Sequence, residues 1–237
     1  MALARLARIV AVDVSHPLTQ RGNGRRFILD CDADRAVYLS LLRENIAVYR
    51  VTLIGYCLMS NHIHLIAIPR MADGLALALK HTHGRYAFYW NAAHNSSGHA
   101  WQGRFYSCPL DEPHLWEALR YAELNPVRAG LVREAECWPW SSAATHCGTK
   151  TTDDSLTLEM WRDRWAASAW REYLAAGETE SRLAIIRQRT HTGRPLGSAA
   201  FIQGLEKIAQ RRLTPQKQGR REGIVIDRSQ SELPFEP

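Results

Sequence analysis

His62 and His64 sit two residues apart inside RVTLIGYCLMSNHIHLIAIP, residues 50–69, a stretch otherwise dominated by apolar side chains. In an extended strand, side chains two apart project from one face, roughly 7 Å apart at ~3.4 Å rise per residue. Side-by-side imidazoles are workable ligands for one divalent metal ion. Two ordinary histidines on a half-exposed sheet face have the same spacing. The pair gains meaning only from what else the chain supplies.

Tyr121 and Asn125 are four apart and share a face if one helix carries both. A tyrosine hydroxyl can attack a phosphodiester and hold the broken strand covalently. The Asn125 side-chain oxygen suits a third position on an ion held by His62 and His64, which would polarise a phosphate oxygen. Each residue also has a plainer reading: Tyr121 as an interfacial aromatic, Asn125 as the cap of a turn starting at Pro126. Pro126 leaves the continuity of that helix open as well. Tyr86 and Tyr89 are rival nucleophiles, but they lack a suitably spaced amide downstream.

Positioning such groups requires a sheet. Residues 51–59 and 63–68 are apolar and β-branched, with Ser60-Asn61 as turn chemistry between them, which predicts a hairpin. Residues 10–20 predict a first strand and residues 99–108 a fourth. Helices are expected over residues 32–48, capped by Asp32-Ala33-Asp34, and over residues 74–91, with His81 and His83 as surface residues. Strand, helix, strand, strand, helix, strand is the split βαβ order. The expected class is therefore α+β: a ferredoxin-like (RRM-like) antiparallel sheet palm with helices on one face. The opposite face, left free for a ligand, is where the histidine pair belongs. Asp111-Glu112-Pro113 opens a third helix that Asn125-Pro126 ends or bends. LTLEMWRDRWAASAWREYLAA predicts one Trp-rich amphipathic helix docked on the core, and residues 199–212 a further helix.

The 237 residues are 46% hydrophobic and 23% charged, ordinary for a globular chain with a sizeable core. No apolar run approaches the ~18 residues of a membrane span, and no membrane partner is expected. The opening apolar stretch is short and runs into Asp13, unlike a signal peptide. Five cysteines without a CxxC pair fit reduced thiols, so a cytoplasmic protein is expected. Net charge is +6, unevenly spread. Residues 181–222 hold ten Lys/Arg against two acids, and residues 1–26 hold five Arg against Asp13. Basic ends around an acidic middle fit a polyanion held by the flanks, as well as they fit a merely solvated tail. In Arg21-Gly22-Asn23-Gly24-Arg25-Arg26, glycines permit close approach while Arg21, Arg25 and Arg26 can take phosphates.

Met59-Ser60-Asn61-His62-Ile63-His64-Leu65, Trp101-Gln102-x-Arg104-Phe105 and Tyr121-x-x-x-Asn125-Pro126-Val127-Arg128-Ala129-Gly130-Leu131-Val132 together resemble the single-tyrosine HUH transposases. The repetitive-extragenic-palindrome (REP)-associated branch is the nearest likeness, since Arg21-Gly22-Asn23, Trp138-x-Trp140-Ser141-Ser142 and Gly193-Arg194-Pro195-Leu196-Gly197 fit it too. The resemblance covers residues 12–142 with specific motifs and the tail to about residue 212 more loosely. Ser60 departs from the proline common in the family, within the turn. The resemblance implies a Mg²⁺ or Mn²⁺ ion on His62, His64 and Asn125, with Tyr121 as nucleophile. It implies single-stranded DNA or DNA hairpins of palindromic repeats as substrate, a 5′-phosphotyrosine intermediate and a free 3′-hydroxyl. Contacts to DNA are expected from Arg21, Asn23, Arg25, Arg26, Arg104 and Arg194. The transposase/nuclease domain is expected over residues 1–150, a helical, basic C-terminal extension over 151–222 and a disordered tail over 223–237.

Two function classes remain open on the sequence: a metal-dependent DNA nicking and joining enzyme, and a non-catalytic single-stranded nucleic-acid-binding regulator on the same fold. Monomer and homodimer are equally compatible with it.

Overall fold

The computed structural model describes residues 9–214. The tail expected over residues 223–237, the end of the basic extension and the first eight residues lie outside the described residues. Four strands form one antiparallel sheet, β1 (His16–Arg21), β2 (Val51–Leu58), β3 (His62–Pro69) and β4 (Tyr106–Ser107), in the order β2-β3-β1-β4. Helix α1 (Asp32–Val48) joins β1 to β2, and α2 (Gly74–Ala93) joins β3 to β4. This is the expected ferredoxin-like α+β palm.

Alternation along the strands explains the layering. Leu18, Tyr56, Leu58, Ile63, Leu65 and Ala67 turn to one face, where Tyr38, Leu42 and Ile46 of α1 meet Leu75, Leu79 and Tyr86 of α2. The four- and seven-residue spacings of those helical positions make the apolar stripes. Ile54, Ile66 and Ile68 turn to the other face. That face is not free, as the sequence suggested. It is covered by α3 (Glu112–Glu123) through Leu115, Trp116 and Leu119, and by Trp161, Trp170, Leu174 and Ile186 from the C-terminal region. Its end near His62 and His64 stays open as a cleft.

A register shift between Leu53 and Gly55 in β2 seats α3. A Cβ on Gly55 would fall 2.2 Å from Leu119 Cδ1, so a glycine is required where helix and strand touch. Asp111 caps α3 by accepting from the His114 amide at 3.4 Å. α3 stops at Glu123, and a separate turn, α4 (Asn125–Arg128), begins after Leu124. Beyond it follow α5 (Ala143–His146), α6 (Glu159–Arg164), α7 (Ala167–Ala175), α8 (Glu180–Thr192) and α9 (Ala199–Ala209).

Several boundaries differ from expectation for local reasons. β1 starts at His16, because Asp13 at φ 60° breaks the chain direction before it. The fourth strand shrinks to two residues, since Gly103 at φ 64° cannot continue a strand, leaving only a bridge between Gly22 and Trp101. The Trp-rich helix is two helices, split where Trp165 and Ala166 turn extended. The α1 cap is Cys31, whose sulfur accepts from Asp34 N at 3.5 Å. His83 packs inward instead of lying on the surface, stacked 4.4 Å from Trp101 and 3.1 Å from the Tyr38 hydroxyl.

His16 is fully buried; its Nδ1 donates to the Val14 carbonyl at 2.8 Å, and its Nε2 accepts from Ala11 N at 3.4 Å. Burial, chiefly, lowers its pKa to about 4. Folding thus favours the neutral ring, a contribution complete above the unfolded value of about 6.5 and lost as pH falls through about 4. A shift of that size corresponds to about 3 kcal/mol. The urea midpoint is expected to fall clearly between pH 7 and pH 4.5. A midpoint constant over that interval contradicts the buried neutral ring.

Candidate active site

His62 and His64 open β3, half-exposed and alternating with buried Ile63 and Leu65. Arg21 pairs with His62 and Thr19 with His64 across β1, so all four project to the α3 side of the sheet. The imidazole centroids are 4.9 Å apart with planes at 84°. Asn61 Oδ1 accepts from His62 Nδ1 at 2.6 Å, which fixes the tautomer and leaves Nε2 as the basic nitrogen. Burial, then Arg21 and Arg128, lowers the His62 pKa to about 4. Burial, then His62, Arg128 and Arg21, holds His64 well below its ordinary value. Both rings are neutral donors at physiological pH.

Tyr121 meets this pair edge-on, 5.5 Å from the His64 centroid at 85°. Arg128 lies over the Tyr121 ring at 4.3 Å and donates to the Tyr121 backbone carbonyl, while the Arg187 guanidinium is 5.7 Å from the ring. Arg187 Nε–H donates to the Tyr121 hydroxyl at 3.3 Å. That hydrogen bond, ahead of the Glu180 carboxylate, raises the Arg187 pKa further above its ordinary value.

The break at Leu124 does not carry Asn125 away. Leu124 keeps right-handed helical angles, and Arg128 N still bonds Leu124 O at 2.9 Å. Asn125, Tyr121, His62 and His64 line one cleft of about 590 Å³ together with Arg21 and Arg25. Asn125 Nδ2 is buried without a hydrogen-bond partner among the described residues. The Asn125 side-chain oxygen beside two neutral imidazoles would make a nitrogen-and-oxygen donor set suited to a divalent ion.

The rival tyrosines belong to the other layer. Tyr86 is fully buried and donates to the Ile28 carbonyl, and Tyr89 donates to Asp34 Oδ1 at 3.2 Å. Neither lines the cleft.

The arginine-rich loop runs beside the cleft. A Cβ on Gly22 would fall 2.3 Å from Arg26 O, so this tight crossing needs glycine. Gly24 and Arg25 both have φ near +60°. The loop puts Arg21 and Arg25 on the cleft wall, leaves Asn23 exposed, and turns Arg26 away to Ser96 and the Trp90 ring. Arg104 borders a second cavity with Lys80 and Trp101, and Arg194 donates to the Leu213 carbonyl at 3.0 Å. Arg128, Arg187 and His191 gather at the site without having been read from the sequence. Arg128 lies inside a motif that marked the region. Arg187 and His191 had only the bulk charge to signal them.

Behind Tyr121, Glu123 is fully buried. Its carboxyl accepts from Ser142 Oγ at 2.5 Å, His146 Nδ1 at 2.6 Å and Trp170 Nε1 at 2.8 Å. This cluster ties the helix bearing Tyr121 to α5 and α7.

Residues 15–125, which supply every cleft residue on β1, β3 and α3, match the family model for IS200-like transposases. Over that segment, just under half of its length, the chain is similar to the IS200-like transposases. No curated protein matches it. The chain is similar in fold to a structure of the REP-associated tyrosine transposase bound to a REP hairpin, with a TM-score of 0.53 and 15% identity, over 65% of this chain and 92% of that one. A putative transposase from Deinococcus radiodurans R1 is 16% identical over 51% of this chain and 96% of that one, with a TM-score of only 0.36. Among the described residues, no helix is long and apolar enough to cross a membrane.

Proposed function

We propose that this protein is a transposase that nicks and rejoins single-stranded or hairpin DNA of palindromic repeats through a 5′-phosphotyrosine intermediate. The observation that carries the reading is the convergence of His62, His64, Tyr121 and Asn125 in one arginine-walled cleft. The hairpin substrate rests on the likeness to a transposase bound to a REP hairpin.

His62, His64 and Asn125 are the residues that would hold Mg²⁺ or Mn²⁺. When bound, the ion supplies Lewis-acid polarisation of a non-bridging phosphate oxygen. Arg21 and Arg25 orient the sugar-phosphate backbone across the cleft mouth. The Tyr121 oxygen attacks phosphorus, the bond to the 3′-oxygen breaks, and the 5′-phosphate stays on the tyrosine. Because no water has entered the bond, the free 3′-hydroxyl of a second strand can reverse the step.

The test is incubation of the protein with end-labelled hairpin DNA and Mn²⁺, followed by denaturing electrophoresis. A covalent protein–DNA band is expected, absent in EDTA. His62→Ala is expected to slow its formation by at least about 10²-fold while the protein stays folded. Full adduct formation in EDTA sinks the metal assignment. Hairpin binding without any adduct favours a binding regulator instead.

A further inference from the structure

Nothing within residues 15–125 supplies a cation to the Tyr121 hydroxyl; the contact comes from α8, outside the segment that matches the family. Arg187 is held there from several sides. Its Nη1 pairs with Glu180 at 2.7 Å, Ile186 beside it is buried, and His191 one turn on stacks 4.5 Å from Tyr106 of β4. Thr190 reaches Cys108 at 3.9 Å. Ile186, Thr190 and His191 line the cleft with Arg187, so α8 forms one of its walls. The Arg187 side chain keeps 46% of its accessible surface.

We infer that Arg187 is a catalytic residue, supplied by α8, that stabilises charge on the Tyr121 oxygen during strand cleavage and rejoining. The inference rests on Tyr121 being the nucleophile. In the forward step the phenolic proton passes to solvent, the Tyr121 oxygen bonds to phosphorus, and the 3′-oxygen leaves with its electron pair and is protonated by solvent. No oxidant or further co-reactant is needed. Arg187 Nε–H already points at the oxygen, so the phenolate that attacks is met by a charge-assisted hydrogen bond. In the reverse step the same oxygen is the leaving group, and the same bond receives its charge. Arg128 does not duplicate this role, since it lies over the ring and bonds Glu178 and the Tyr121 backbone carbonyl.

Single-turnover adduct formation and hairpin affinity, measured on the full chain, separate this role from its rivals. Arg187→Gln is expected to slow adduct formation by roughly 10²-fold. Hairpin Kd should move by less than about threefold, and Arg187→Lys should restore most of the rate. Arg85→Gln, which removes a surface cation paired with Glu44, controls for net charge and should leave the rate unchanged. An Arg187→Gln rate equal to wild type overturns the inference, and so does a rate loss matched by an equal loss of affinity, which would make Arg187 a phosphate anchor. A faster variant overturns it too, because the contact would then be a block. A wild-type protein that forms no adduct on Tyr121 overturns the reading of the site and this inference with it. A Tyr121 adduct with an undiminished variant rate overturns the inference alone.

Discussion

Tyr121→Phe is expected to form no covalent protein–DNA adduct on any hairpin the wild-type protein attacks, and Tyr86→Phe and Tyr89→Phe still form it. The change removes one oxygen and keeps the ring that packs against His64 and Arg128. Folding and DNA affinity should therefore barely move. Tyr86 and Tyr89 donate to Ile28 and Asp34 in the other layer, so their hydroxyls have no route to a phosphate in the cleft. Mass spectrometry of the trapped wild-type adduct should place the nucleotide on Tyr121. An adduct on any other tyrosine refutes the assignment.

Glu123→Ala is expected to destabilise the fold by about 3–5 kcal/mol, the cost of breaking a buried hydrogen-bonded pair. Ser142, His146 and Trp170 all donate to this one carboxyl, and none has water to turn to. For a chain of this length that energy lowers Tm by roughly 6–20 °C. Glu123→Gln keeps the volume and one acceptor and should lose less than half as much. Thermal unfolding followed by tryptophan fluorescence reads the change directly, as Trp161 and Trp165 pack around Trp170. A Glu123→Ala protein melting with wild type would show that the cluster does not hold α3 in place.

The palm was legible because its signals are local. Strand periodicity, the Ser60-Asn61 turn and the helix start at Asp111 each act within a few residues, and each predicted its element. The convergence of His62, His64, Tyr121 and Asn125 in one cleft was legible for a related reason: a spacing of two has a fixed meaning on a strand, and helical angles at Leu124 carry the spacing of four across the break. What sequence reading missed is tertiary. The fourth strand looked long because WQGRFYSC is rich in strand formers, but the backbone at Gly103 overrode that propensity. His81 and His83 seemed equally exposed, yet only the fold brings Trp101 and Tyr38 around the second. The covered α3 face and the placement of Arg187 depend on how residues far apart in the chain pack. A count of basic residues could show that α8 was charged, but not where it would point.

The separation along the chain between the Tyr121 helix and its partners also has a consequence in time. A ribosome delivers the amino terminus first, so the two histidines, Tyr121 and Asn125 all leave it well before the groups that complete their surroundings. Trp170 follows Glu123 by 47 residues, and Arg187 follows Tyr121 by 66. Until those residues emerge, Glu123 lacks its third donor and the hydroxyl of Tyr121 lacks its cation. A nascent or prematurely terminated chain can therefore carry the whole set of motifs and still lack the finished cleft. Translation itself acts as a delay between encoding Tyr121 and completing its surroundings.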